Sequence, residues 1–179
     1  MSTRREQQGM TPIRLEKPSA AHMKGFLGAV RRSRVLHKGL VKPPATAAAF
    51  RAYLARSKQA NYVPHLVVAG ENDLVGVINI SEIVRGQFQS AYLGYYAFVP
   101  HAGSGLMSAG FALVLRHAFI ELGLHRLEAN IQPNNPASLR LVARHGFVKE
   151  GFSSRYLKVN GRWRDHERWA LIRENWRGR

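Results

Sequence analysis

The chain has 179 residues, 45% of them hydrophobic, which suits one domain with a buried core. It contains no cysteine, so disulfides, thiolate catalysis and cysteine-based zinc sites are excluded. Lys and Arg number 27 against 11 Asp and Glu, a net charge of +16.

The first ten residues, Met1 to Met10, read as a flexible tail. A single domain is expected from 11 to 179. Thr11 to Lys17 reads as a strand. Ser19 to Arg34 carries Ala20, Met23, Phe26, Leu27 and Val30 at helical spacing, with Ser19 as N-cap. Pro43-Pro44 breaks the chain, and Thr46 caps a second helix with Ala49, Phe50, Tyr53 and Leu54 on one face. The period then changes. Val63 to Ala69, Leu74 to Ile83 and Ala91 to Val99 read as an antiparallel meander, with turns at Gly70–Asp73 and Arg85–Gln87. Gly105 to Leu122 reads as a helix stopped by Gly123, Leu127 to Gln132 as a strand, and Asn135 to His145 as a helix. Phe147 to Val159 and Arg164 to Ile172 read as strands joined through Asn160-Gly161, a hairpin signal.

Two stretches carry chemistry. Val99 to Ser108 closes an apolar strand, passes Gly103-Ser104-Gly105 and opens a helix. A helix N-terminus presents unpaired N–H groups and a positive dipole end. Glycines let an anion come close to the backbone, and the hydroxyls of Ser104 and Ser108 add donors, so the stretch is a candidate phosphate cradle. It lacks the third glycine and the acidic residue of a dinucleotide fingerprint. In the second stretch, Asn135 is an N-cap, Pro136 the first helical residue, Ser138 three residues past the cap, and Gly146 the stop. Capping alone accounts for these residues when they are taken singly.

Taken together, the strand, G-x-G-hydrophobic, helix, strand, N-x-x-S, helix and G-F resemble the GNAT acyl-CoA N-acetyltransferase superfamily. Tyr156 to His166 and Leu93-Gly94-Tyr95 look like the branch that acetylates N-terminal alanines of ribosomal proteins. The resemblance implies an α+β fold: a mixed sheet of about seven strands with about four helices. It implies acetyl-CoA as co-substrate, with Gly103, Ser104, Gly105, Leu106 and Met107 at the pyrophosphate. Tyr96, Phe98 and Val99 would lie along pantetheine, with a backbone N–H near Phe98 facing the thioester oxygen. Asn135 would sit on the pantetheine arm and Ser138 at the sulfur, as the acid that protonates the leaving thiolate.

The family base stands just before the Tyr-Leu of the penultimate strand, where this chain has Arg155. Glu82 is the first replacement, followed by Glu128 and Glu150, with His101, His145 and His166 as further options. Ala102 stands where the superfamily often has a polar residue, which removes one arm toward the phosphates. Ser, His and Asp form no nucleophile motif, and no metal-ligand cluster is expected.

The charge excess lies in the flanks. Residues 1–60 hold 13 basic and 2 acidic residues, 61–154 hold 6 of each, and 155–179 hold 8 and 3. In the implied fold these flanks border the acceptor slot, which fits a protein N-terminus embedded in RNA and contact with rRNA. A small amine acceptor, or a non-enzymatic RNA-binding or ribosome-assembly factor with a degenerate cofactor site, remain alternatives. A monomer or homodimer is expected. Met1 to Gln8 lacks the apolar core of a signal peptide and no run is long enough to span a bilayer, so a cytoplasmic location without a membrane partner is expected.

Overall fold

A computed structural model describes residues 11–178, so the tail expected over 1–10 lies outside the described residues. The strands are β1 (Ile13–Glu16), β2 (Tyr62–Ala69), β3 (Asp73–Val84), β4 (Ser90–Ala97), β5 (Arg126–Ile131), β6 (Val148–Val159) and β7 (Arg162–Ile172). They form one seven-stranded sheet in the order β1-β2-β3-β4-β5-β7-β6. Every neighbouring pair is antiparallel except β4 and β5. That parallel pair is short: Ser90, Ala91 and Tyr92 lie opposite Arg126, Leu127 and Glu128. Beyond Tyr92 and Glu128 the two strands separate, and a gap opens in the middle of the sheet.

The helices are α1 (Met23–Arg32), α2 (Arg34–His37), α3 (Ala47–Arg56), α4 (Leu106–Arg116) and α5 (Pro136–Arg144). Strand alternation sends neighbouring residues of β2 to opposite faces. Leu66 and Val68 join Phe26, Phe50, Tyr53, Val77 and Phe98 in the cluster under α1 and α3. Val67 joins Phe111, Val114, Ile78 and Leu127 in the cluster under α4. Four helices longer than one turn therefore cover both faces of a mixed sheet, the architecture expected.

Three elements depart from the sequence reading. The helix over 19–34 begins as a 3₁₀ turn at Ala20–His22 and breaks at Ser33 before α2. Ser33 is fully buried, and its hydroxyl accepts the Val99 N–H at 3.0 Å, tying the α1–α2 corner to the end of β4. The long helix over 105–122 leaves α geometry after Arg116 and finishes as a π turn at His117–Glu121. The last strand starts at Arg162, because Asn160 (φ 50°) and Gly161 (φ 79°) form the whole two-residue turn.

The π turn places His117 against His65 of β2, with ring centroids 5.0 Å apart. His65 donates from Nδ1 to the Ile78 carbonyl at 3.3 Å. Burial, helped by His117, lowers the His65 pKa to about 4. Folding thus holds this ring neutral. Its contribution is complete above the unfolded pKa of about 6.5 and is lost as pH falls toward about 4. The expected cost near pH 4 is about 3 kcal/mol. Urea midpoints measured from pH 7 to 4.5 should fall for the native chain and flatten for His65→Gln; equal slopes would contradict the assignment.

Candidate active site

The gap between β4 and β5 continues into a cavity of about 340 Å³ bounded by α2, β4, the glycine loop and α5. Of the residues expected to bind coenzyme, Tyr96, Gly103, Gly105, Met107, Asn135 and Ser138 line it. Gly103 (φ 81°) and Gly105 (φ 87°) hold left-handed backbone, and Gly105 is the N-cap of α4. A Cβ at either glycine would meet nothing within 4 Å, so the space over the loop is open to an anion. The Ser108 and Ala109 N–H groups turn back to the Gly105 carbonyl, whereas those of Gly103, Gly105 and Met107 have no backbone acceptor among the described residues. These free donors at the positive end of α4 suit a pyrophosphate.

The serine hydroxyls contribute less than expected. Ser104 donates its hydroxyl to the His101 carbonyl at 2.6 Å, and Ser108 is paired with His145 Nε2 at 2.9 Å. Ser104 and Leu106 stand outside the cavity lining. Two cations that the sequence reading passed over do line it: Arg140 and Arg144 of α5. The 3.6-residue period shows the signal, since Ala137, Arg140, Leu141 and Arg144 share one helix face.

Asn135 caps α5 through Oδ1, which accepts the Ser138 N–H at 3.2 Å. Its amide NH₂ remains available to the cavity. No hydrogen bond holds the Ser138 hydroxyl among the described residues, so it can donate to a group in the cavity.

The strand edge requires a correction. Phe98 donates its N–H to Val75 at 2.8 Å, and the Val99 N–H goes to Ser33. Neither is free for pantetheine or a thioester oxygen, and neither residue lines the cavity. Ala97 sits opposite Gly76 and Tyr95 opposite Ile78, in positions flanked by the Phe98–Val75 hydrogen bond. Antiparallel alternation therefore points the N–H and C=O of Tyr95 and Ala97 away from β3, into the gap. Tyr96 has the opposite parity. It lines the cavity by its side chain, whose hydroxyl is buried without a partner.

Glu82 also moves away from the site. It lies six residues along β3 from Gly76, the partner of Ala97, a distance of about 20 Å. A bulge between Ser81 and Val84 and a φ of 50° turn it outward, and its carboxylate pairs with Arg56 at 2.8 Å. The other acids are committed too. Glu128 and Glu150 pair with Arg126, Glu16 with Arg14 and His22, and Glu167 with Lys149. Glu121 and Glu174 sit on histidines, and Asp165 accepts the Arg155 N–H at 2.7 Å. Glu71 and Asp73 are exposed in the β2–β3 turn. Among the described residues, no carboxylate lines the cavity.

One histidine does, and the sequence reading did not select it. His37 of α2 is 5% exposed and lines the cavity beside Tyr96. Its Nε2 lies 2.8 Å from the Ala97 carbonyl, and its Nδ1 is buried without a partner. Nothing in the 19–34 periodicity marks it, because its burial depends on the break at Ser33.

Comparison with known proteins agrees with this geometry. The model of the acetyltransferase (GNAT) domain family matches residues 13–148. A probable N-acetyltransferase of Bacillus subtilis, YjcK, is 37% identical over 115 residues, 64% of each chain. The [ribosomal protein uS5]-alanine N-acetyltransferase of Escherichia coli is 41% identical over 106 residues, 59% of this chain and 55% of that protein. The matched stretches thus span less than two thirds of these relatives. Among solved structures, the ribosomal-protein-S5-alanine acetyltransferase of Vibrio fischeri superposes with a TM-score of 0.79 at 25% identity, covering 92% of this chain and 95% of that one. RimJ of Mycobacterium smegmatis, solved with CoA-disulfide, gives 0.84 at 24% identity over 90% and 82% of the two chains and shares the fold. With the splayed parallel pair, the glycine loop at the head of α4 and the family pattern running from 13 to 148, this chain belongs to the GNAT acetyltransferases.

Proposed function

We propose that this protein transfers an acetyl group from acetyl-CoA to the α-amino group of a protein N-terminus, an alanine of a ribosomal protein being the favoured acceptor. The observation that carries the acceptor class is that, among the described residues, no carboxylate lines the cavity and nearly all are committed elsewhere. A polyamine is held through its charges and needs such groups. An α-amine, with a pKa of about 7.7–8.0, is already partly neutral near pH 7 and does not. The 41% identity with the E. coli alanine acetyltransferase favours the same acceptor.

Acetyl-CoA, when bound, supplies an acyl group activated as a thioester. The residues here would hold and steer it. The N–H groups of Gly103, Gly105 and Met107 face the pyrophosphate, and Arg140 and Arg144 offer cations to the phosphates. Tyr95 and Ala97 present the strand edge that pantetheine amides would extend, and one of their N–H groups would polarise the thioester oxygen. Asn135 Nδ2 would reach the pantetheine arm. Ser138 would donate its hydroxyl proton to the sulfur as it leaves. The family position occupied by Arg155 supplies no base.

The exposed cations Arg31, Arg32, Arg34 and Lys38 ring the α1–α2 corner, beside the cavity wall formed by Leu36 and His37. We read them as the contact for RNA around the acceptor. Acetylation of a ribosomal-particle acceptor should fall steeply between about 50 and 200 mM salt, and that of the free peptide only slightly. Equal salt dependence would remove the RNA contact from the account. The acceptor itself is tested by mass spectrometry on peptides beginning with Ala, Ser, Gly or blocked Ala, with spermidine alongside. Acetylation of the free α-amine of the Ala peptide is expected. Preference for spermidine would overturn the reading.

A further inference from the structure

We propose that a second cavity, beyond Arg144, holds the 3′-phosphate of CoA between Arg144 and Arg177 and so selects CoA over dephospho-CoA. The inference rests on the acetyl-CoA reading above and extends it to the far end of the coenzyme. The cavity measures about 230 Å³. Its walls are Leu115 of α4, Arg144, His145 and Gly146 at the end of α5, and Trp176 and Arg177 of the C-terminal segment. Arg144 also lines the first cavity, so the two cavities meet at this residue.

The first cavity fixes the direction in which CoA runs. CoA is linear: thioester, pantetheine, pyrophosphate, then the ribose that carries the 3′-phosphate. With its sulfur at Ser138 and its pyrophosphate at the head of α4, the nucleotide end is what is left to place. Arg144 lies six residues beyond Ser138, about 9 Å along the axis of α5. The path from α4 is short as well. Ser108, in the first turn of α4, meets His145 Nε2 at 2.9 Å, and His145 lines the second cavity. One side-chain contact therefore separates the head of α4 from the second cavity.

Charge decides what can enter. Arg144 and Arg177 are exposed, and neither guanidinium has a hydrogen-bond or ion-pair partner among the described residues. Among those residues no carboxylate lines this cavity. Glu174, just before the C-terminal wall, is turned to His125 at 3.4 Å. Burial, helped by the Arg144 cation, lowers the His145 pKa, so that ring is neutral and adds no third cation. The C-terminal end of α5 opposes an anion with about half a negative charge. Two full positive charges outweigh it, and the His145, Gly146 and Phe147 N–H groups already take up the Leu141, Val142 and Ala143 carbonyls. A phosphate monoester brings about −1.5 to −2 charges near pH 7 and three oxygens that a guanidinium fork can pair. Trp176 and Arg177 lie beyond residue 148, where the family pattern stops, so this wall is the chain's own.

The test is calorimetry of CoA and dephospho-CoA, which differ only in that phosphate. The native chain should bind CoA about 30-fold more tightly. Arg177→Gln should weaken CoA about tenfold and change dephospho-CoA by less than about twofold. Equal affinities in the native chain, or a variant that weakens both ligands alike, would overturn the proposal. The second readout needs no variant. Held by two cations, the 3′-phosphate should titrate below its free second pKa of about 6 in phosphorus NMR of the native complex. An unshifted 3′-phosphate would remove it from the site. If the native chain takes up neither ligand, the acetyl-CoA reading fails and the site with it. If it takes up both alike, the site alone fails.

Discussion

Replacing Ser138 by alanine should lower kcat by about 100-fold while changing the acetyl-CoA Kd by less than about tenfold. The asymmetry follows from where the residue sits. Its backbone N–H, not its hydroxyl, closes the Asn135 cap, so α5 stays in place when the hydroxyl goes. The cavity shape and the glycine loop are untouched. What is lost, in the role proposed for it, is the hydroxyl that would protonate the departing thiolate, whose thiol has a pKa of about 8.5 and so is mostly protonated as product near pH 7. Asn135→Ala gives the complementary result. It removes the cap, worth about 1 kcal/mol, and weakens both stability and coenzyme binding. Steady-state kinetics and calorimetry on the two variants separate these roles. If Ser138→Ala weakened binding and turnover in equal measure, the acid assignment would fail.

The largest stability effect should come from Gly110→Leu. Gly110 lies in α4 where the helix crosses β2, and an added Cβ would come within 2.6 Å of Val67 Cγ1. Val67 is fully buried under Phe111 and Val114, so it has nowhere to move. Overpacking of this kind costs about 3 kcal/mol. For a chain of this size that corresponds to a fall in Tm of about 6–12 °C. Gly105→Ala is a different case. It meets no atom within 4 Å and pays only for left-handed backbone, about 1–2 kcal/mol. Its main effect should be on coenzyme affinity, through the donors at the head of α4. Thermal melts with and without CoA distinguish the two. Gly110→Leu should lower both curves together, and Gly105→Ala should mainly reduce the shift that CoA produces.

The features legible in the sequence are those written in local chemistry. Gly103 and Gly105 mark a loop that only glycine backbone enters easily, and Asn135-Pro136 marks a helix start wherever it stands. Hydrophobic period located the sheet and its covering helices. The errors share one cause: edge parity and facing are set by long-range register. Phe98 and Val99 looked like the strand end that meets pantetheine. Val75 across the strand and Ser33 across the fold capture their N–H groups and leave Tyr95 and Ala97 at the gap. Glu82 looked like a strand-end carboxylate near the site, but a bulge turns it toward Arg56. His37 is the mirror case. In sequence it belongs to a basic surface run, and only the break at Ser33 folds it under the Ala97 carbonyl.

The direct test of the central claim is a calorimetric titration of acetyl-CoA into the native chain, followed by addition of the Ala-starting ribosomal peptide to the same solution. One site per chain with a Kd of about 1–100 μM, and acetylation confined to the peptide α-amine, is the predicted result. A folded chain that takes up no acetyl-CoA at 1 mM would contradict the account.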